Sequence, residues 1–272
     1  MDRVYNMKIS YQGEAGAYGY TVAKRFGTPI SAMTFEAALD MIILGDADQA
    51  VIPVENSHYG EVADSNDAIY SARSSLHIIG EWYEPIRHCL IGNSGDLNDI
   101  KQVYSHLQAL GQCKKFLKKH NLLPTQYYDT AASVSMVKRT GDGSIAAIAS
   151  RDAAELYNMK IIMEEINDNK DNTTRFLIIG KDSIEYKPDI KYKTTIAFTL
   201  HHNKGSLHTI LNLMRDVNLT RITSRPISGW KYVFFVDFEG HIQQHKVMMD
   251  AIRERCLILD VFGSYKQGVF EY

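Results

Sequence analysis

Hydrophobic and polar positions recur along this chain in two periods, and the switches between them mark out its elements. Lys8-Ile9-Ser10-Tyr11 has the two-residue alternation of a short strand, and Tyr18 to Phe26 has the wider spacing of a helix. Between them, Gly13-Glu14-Ala15-Gly16 punctuates a turn whose backbone amides either face an anion or only close the turn. A helix over Phe35 to Leu44, stopped by Gly45, leads into the apolar strand Gln49 to Val54; a helix to about Ala72 then precedes a strand near Leu76 to Gly80. The pattern restarts at Pro85-Ile86-Arg87-His88-Cys89-Leu90-Ile91. Strand endings at Tyr104 and at Tyr127-Tyr128, the small-residue strand Ser144 to Ala149 and a short helix from Arg151 to Tyr157 predict a second lobe over about 86–168. Phe176-Leu177-Ile178-Ile179 reads as a buried strand ended by Gly180, completing an α/β unit over 7–181.

Residues 182–192 hold Pro188 and several charges without a sustained period, and read as a linker. Beyond it come strand Thr194 to Leu200, helix Ser206 to Val217, strands Leu219 to Ser224 and Tyr232 to Phe238, helix His241 to Arg253 and strand Leu257 to Phe262. That βαββαβ order predicts a ferredoxin-like domain over 193–272.

With 272 residues and 45% apolar content the chain can bury a real core. Its net charge of -2, with both signs interspersed, gives no basic footprint for nucleic acid. No run is long enough to span a bilayer and the first six residues lack an apolar leader, so neither a membrane nor export is expected, and the expected setting is the cytoplasm. Cys89, Cys113 and Cys256 are far apart and without CxxC spacing, which predicts neutral thiols rather than disulfides or structural zinc.

Polar residues collect where strands end. Asn172-Thr173-Thr174-Arg175-Phe176 sets hydroxyl donors beside a fixed cation: Arg175 can grip a carboxylate while Thr173 or Thr174 donates to a nearby oxygen, the alternative being a capped turn with a surface salt bridge. Glu55-Asn56-Ser57, with Gly60 beyond, is either a second wall of a site or Asn/Ser turn chemistry. Ser105 suits an N-cap and His106 a first helical turn, on the surface or in a site; Asp129 and Thr130 repeat the arrangement, capping a helix or facing a cleft. The pair His201-His202 lacks a convincing third ligand and reads as a surface turn, so no metal is expected. Polar strand ends converging in this way predict two lobes around a small polar molecule.

In order, Gly13-Glu14-Ala15-Gly16, Pro53-Val54-Glu55-Asn56-Ser57 with Gly60, Tyr104-Ser105-His106 with Gln108-Ala109, Thr130-Ala131-Ala132 and Asn172-Thr173-Thr174-Arg175-Phe176 resemble the motifs of prephenate dehydratases, which make phenylpyruvate for phenylalanine biosynthesis. Gly205-Ser206-Leu207 and Ser224-Arg225-Pro226 resemble the regulatory ACT domain that follows the catalytic domain in that family. The resemblance covers almost the whole chain and implies a two-lobed catalytic domain like a periplasmic binding protein, a C-terminal ACT domain, no cofactor, and assembly as a homodimer or homotetramer. Nothing resembling a chorismate mutase segment precedes Lys8, so the chain resembles the monofunctional form. Thr174 is implied as the group on the leaving hydroxyl, with Glu55 or His106 as proton source. Arg175 is implied as carboxylate anchor, with Asn56, Ser57, Ser105, Thr130, Ala131, Ser133 and Thr173 as further contacts and Phe176 packing beneath. L-Phenylalanine is implied as effector, at Asn203, Gly205, Ser206, Leu207, Asn218, Thr223, Ser224, Arg225 and Pro226. Leu107 stands where proline is usual, Lys204 where Pro-Gly often occurs and Thr223 where glutamate is common; the last two bear on the effector. Rival readings are an arogenate dehydratase and a non-catalytic amino-acid sensor.

Overall fold

The computed structural model describes residues 7–268, so the last four residues of the expected C-terminal domain, and the first six, read above for a leader, lie outside the described residues. The first lobe runs through β1 (Lys8–Gln12), α1 (Tyr18–Phe26), β2 (Thr28–Ala32), α2 (Phe35–Leu44), β3 (Gln49–Asn56), β4 (Gly60–Glu61), α3 (Ala63–Ser71) and β5 (His77–Pro85). The second holds β6 (Cys89–Gly92), β7 (Gln102–Ser105), α4 (Leu107–Gln112), α5 (Lys114–Lys119), β8 (Leu123–Gln126), α6 (Thr130–Thr140), β9 (Ile145–Ala149), α7 (Arg151–Leu156) and β10 (Lys160–Met163). The chain then returns to the first lobe as β11 (Thr173–Gly180), which slots antiparallel between β3 and β5 in the order β2-β1-β3-β11-β5. The second lobe has the order β10-β6-β9-β7-β8. Two crossings, at 86–88 and 164–172, therefore join the lobes.

Two edge strands depart from the hydrophobic pattern. β2 contains Pro29 and was not visible as a strand, and β8 contains Pro124 and ends at Gln126, ahead of the expected Tyr127-Tyr128. Both lie at sheet edges, where a missing N–H breaks no ladder.

The C-terminal unit comprises β12 (Tyr192–Thr199), α8 (Ser206–Leu213), β13 (Leu219–Ile227), β14 (Lys231–Glu239), α9 (Lys246–Arg253) and β15 (Ile258–Lys266). Its sheet, β13-β14-β12-β15, is antiparallel throughout, as a ferredoxin-like fold requires. One face carries the helices, around Ile196, Phe198, Ile210 and Ile252. The other lies on the first lobe: Val233, Phe235 and Phe262 share a core with Ile52, Leu177 and Ile179. Gly263 permits the contact, because a Cβ there would stand 2.1 Å from the Ile78 carbonyl oxygen.

Side chains alternate faces along a strand. On β11, Leu177 and Ile179 point toward the C-terminal sheet, while Phe176 and Ile178 pack with Ile9, Val22 and Val51 on the α1 side. This alternation decides where the preceding residues, Thr174 and Arg175, can point. No helix among the described residues is long and apolar enough to cross a membrane.

Candidate active site

Between the lobes lies a cleft of about 480 Å³. Pro53, Asn56, Thr174 and Phe176 form its first-lobe wall, and His106, Gln108, Ala109, Gln112, Tyr128, Asp129 and Thr130 the facing wall. Gln12, Gly13, Ala17, Tyr18 and Gly19 close one end at the start of α1. Gly16, at φ +94°, lets this turn meet the second lobe: an added Cβ would come within 2.9 Å of the Ala153 backbone. The lobes are also tied by Ser150 Oγ donating to the Gly16 carbonyl (2.6 Å) and Thr21 Oγ1 to Asp152 (2.5 Å).

A β-bulge sets the chemistry of the first-lobe wall. Phe176 pairs with Pro53 and Arg175 with Glu55, so Val54 is an extra residue on β3. Strict alternation from Val51 and Pro53 would aim Glu55 into the cleft and Asn56 out of it. The bulge inverts this and presents Asn56 beside Thr174. The Asn56 side-chain oxygen Oδ1 accepts from the backbone N–H groups of His58 and Tyr59, both at 3.0 Å, which fixes the amide. Its Nδ2 donates to Asn172 Oδ1 (2.8 Å), Thr174 Oγ1 (2.9 Å) and the Thr173 carbonyl (3.2 Å). Since Thr174 Oγ1 accepts here, its own O–H is free to donate into the cleft.

A buried chain spans the lobes. Gln112 Oε1 accepts from His88 Nε2 (2.6 Å), so His88 Nδ1 accepts from the Tyr18 hydroxyl (3.1 Å). Burial pushes the His88 pKa down to about 4, keeping the ring neutral near pH 7. On the opposite wall, His106 is the N-cap of α4, with Nδ1 accepting from the Gln108 N–H at 3.3 Å. Asp129 caps α6 by accepting from the Ala132 N–H at 2.8 Å. Among the described lining residues are the carboxylates Asp64 and Asp129 but no lysine or arginine.

Several expected site residues lie elsewhere. Arg175 corrects the expectation most sharply: it points away from the cleft, its side chain is 2% exposed, and it sits in a network joining β11 to the C-terminal sheet. Its Nε donates to Glu81 (2.7 Å), Nη1 to Asp237 (2.6 Å) and Nη2 to the Tyr265 hydroxyl (2.9 Å). Lys193 reaches Glu81 (2.9 Å) and Arg221 reaches Asp237 (3.1 Å), so three cations share two fully buried carboxylates. Burial opposes ionisation of Asp237, yet Arg221 and Arg175 hold its pKa down to about 2. Glu55 also faces this network, 3.7 Å from Arg175 and 4.0 Å from Arg221, and does not line the cleft. Ser105 is buried and donates to the Ile148 carbonyl (2.6 Å), and Ser133 to the Thr130 carbonyl (2.5 Å). Ala131 is buried, while Ser57 and Thr173 both donate to the Asp171 carbonyl (3.4 Å); none lines the cleft.

Tyr18, His88, Gln112 and Asp64 carried no signal as site residues. His88 lay unmarked in an apolar run and Tyr18 at a helix start, and only the tertiary fold brings them to one wall.

In the C-terminal unit, Asn203, Ser206 and Leu207 line a second cavity of about 660 Å³, together with His201, His202, Trp230, Tyr232 and Phe234. Gly205 precedes α8 in the left-handed conformation, at φ +82°. The expected partners on β13 are not at this cavity. Thr223 donates to Glu61 (2.6 Å) and Arg225 to Asp67 (2.7 and 3.0 Å), both on the first lobe, while Ser224 and Pro226 are exposed. Asn218 gives its carbonyl to the Glu239 N–H at 2.9 Å and does not line the cavity either.

Residues 9–184 match the family model described as prephenate dehydratase. The prephenate dehydratase of Methanocaldococcus jannaschii is 38% identical over 221 residues, spanning 79% of this chain and 80% of that one. The arogenate dehydratase/prephenate dehydratase 2, chloroplastic, of Arabidopsis thaliana is 34% identical over 279 residues, 95% of this chain and 72% of the relative. The prephenate dehydratase of Arthrobacter aurescens, solved in complex with L-Phe, superposes with a TM-score of 0.87 at 29% identity, covering 96% of this chain and 90% of that one.

Proposed function

The chain belongs to the prephenate dehydratase family, and we propose that its cleft converts prephenate to phenylpyruvate, CO2 and water, with Thr174 acting on the leaving hydroxyl. Prephenate carries a ring carboxylate, a hydroxyl para to it and a pyruvyl carboxylate. The electron pair of the breaking C–CO2 bond enters the ring, the para C–OH bond breaks, and one proton taken up turns the departing hydroxide into water. Aromatisation supplies the drive.

The observation carrying this reading is the free Thr174 O–H, held in place by an amide that is itself held. A threonine hydroxyl is too weak an acid to supply the proton alone, so it orients the leaving group and relays a proton from a stronger donor. Of the two sources the family resemblance implied, His106 faces the cleft and Glu55 does not, which favours His106 for the role. Thr130 and the backbone amides at the start of α1, where no side chain caps the helix, hold the pyruvyl carboxylate. A wall with no lysine or arginine among its described residues suits a substrate that must release a carboxylate as neutral CO2, because a cation there would stabilise the ground state more than the transition state.

The same proposal includes L-phenylalanine as inhibitor at the second cavity. Trp230, Tyr232 and Phe234 would pack its ring, and Asn203 and Ser206 would take its charged end. It also includes the cytoplasmic setting and the homodimeric or homotetrameric state. Arogenate is a second reading, favoured by one feature: Asp64 and Asp129 offer carboxylates to the ammonium that arogenate carries in place of the keto group.

The test is phenylpyruvate formation by the purified chain from prephenate at neutral pH, with and without phenylalanine. Product suppressed by phenylalanine is the expected result. Phenylalanine formed from arogenate, with prephenate untouched, would favour the second reading, and no product from either would leave a sensor.

A further inference from the structure

Resting on that reading of the reaction, we propose that Asp237, on the C-terminal sheet, is a positioning residue for the cleft: through Arg175 it fixes the strand that carries Thr174. Thr174 and Arg175 are consecutive on β11 and point to opposite faces, so the backbone that aims the hydroxyl is the backbone that the guanidinium anchors. The β3–β11 ladder is interrupted between Arg175 and Phe176, where pairing with β3 defines the strand position least well. There Arg175 makes three charge-assisted bonds of 2.6 to 2.9 Å, two of them to β14 and β15 of the C-terminal sheet, through Asp237 and Tyr265. Asp237 is fully buried and also accepts from Arg221, whose Nε shares the Oδ2 that Arg175 uses (3.1 Å) and whose Nη2 reaches Oδ1 (3.4 Å); Arg221 is itself tied to Asn66 of α3 at 2.9 Å. The segment matching the family model ends at residue 184, so one support of the active-site strand lies outside it.

The test is a double-variant cycle in the full chain, reading kcat and KM for prephenate. Asp237→Asn is expected to lower kcat about tenfold while KM stays within about twofold, since small displacements of a reacting group lower rate more than binding. In the Thr174→Val background the same change should alter kcat by less than about twofold, because there is no hydroxyl left to aim. Arg73→Met breaks a different interdomain pair, to Asp260 at 3.2 Å, and should leave kcat unchanged.

An unchanged kcat in Asp237→Asn, an equal loss in both backgrounds, or an equal loss in Arg73→Met would each overturn the proposal. If Asp237→Asn does not fold, Tyr265→Phe removes the bond to Arg175 Nη2, along with the one to Thr195 Oγ1 at 2.8 Å within the C-terminal sheet, and is read in the same cycle, with about a threefold loss expected in the wild-type background alone. Wild-type protein inactive on prephenate would overturn the reading of the reaction itself, whereas an active wild type with an indifferent Asp237→Asn would overturn only the positioning role.

Discussion

The two faces of β11 are built on opposite electrostatic principles. On one, Thr174 and Asn56 look into a cleft with no lysine or arginine among its described lining residues. On the other, Arg175, Lys193 and Arg221 surround Glu81 and Asp237 in a space closed to water. Adjacent residues of one short motif thus serve binding and chemistry on one side and interdomain cohesion on the other. A cation next to a reactive residue in sequence is its opposite in space when both are on a strand.

The largest effect expected is at the charged face. Arg175→Met leaves Glu81 and Asp237 with one cation fewer in a buried setting, and should destabilise the fold by about 3 to 5 kcal/mol, read as a shift in urea midpoint. If Arg175 were instead the carboxylate anchor, the variant would keep its stability and lose substrate binding. A raised KM with an unchanged midpoint would therefore overturn the division between the faces.

Thr174→Val probes the other face. It should lower kcat about a hundredfold, close to 2.7 kcal/mol, with KM within about twofold and stability changed by less than about 1 kcal/mol. Stability separates the two variants: Arg175→Met should lose it, together with part of kcat through the strand it anchors, whereas Thr174→Val should lose kcat alone. Equal losses of stability in the two variants would dissolve the contrast.

This division was half legible in the sequence. The apolar run after Arg175 marked a buried strand, and period-two alternation alone separates Thr174 from Arg175; the attraction of a guanidinium for a carboxylate substrate obscured that geometry. Glu55 was not legible by the same rule. Alternation places it in the cleft, and only the bulge at Val54, a property of the β3–β11 pairing, turns it out and Asn56 in. The C-terminal βαββαβ order could be read from its periods, whereas the docking of its sheet on the first lobe could not. Arg221 and Arg225 alternate along β13 like the exposed residues of any edge strand, and the sequence does not say that Asp237 and Asp67 await them. His88 was invisible for a related reason: a histidine in an apolar run looks like packing until Tyr18 and Gln112 are brought to it from two lobes.

That histidine provides the smallest of the three effects and extends the contrast to pH. The charged face resists acid, since Asp237 holds its charge down to about pH 2. The cleft face does not. His88 has a folded pKa of about 4 against an ordinary value of 6.5, so the unfolded chain binds this proton first as pH falls. Stability from the neutral ring is fully present above pH 6.5 and is lost progressively as pH drops toward 4. One proton taken up by the unfolded chain changes stability by about 1.4 kcal/mol per pH unit, so this group alone should remove about 2 kcal/mol between pH 6.5 and 5. His88→Gln cannot titrate and should flatten the pH dependence of the urea midpoint by that amount, whatever its stability at pH 7. Parallel curves for wild type and variant would mean that His88 is not held neutral across the lobes. Protonation of the folded ring would also deprive Tyr18 of its acceptor, but that happens only near pH 4, so kcat should hold through the window in which stability is lost and fall at its acid end.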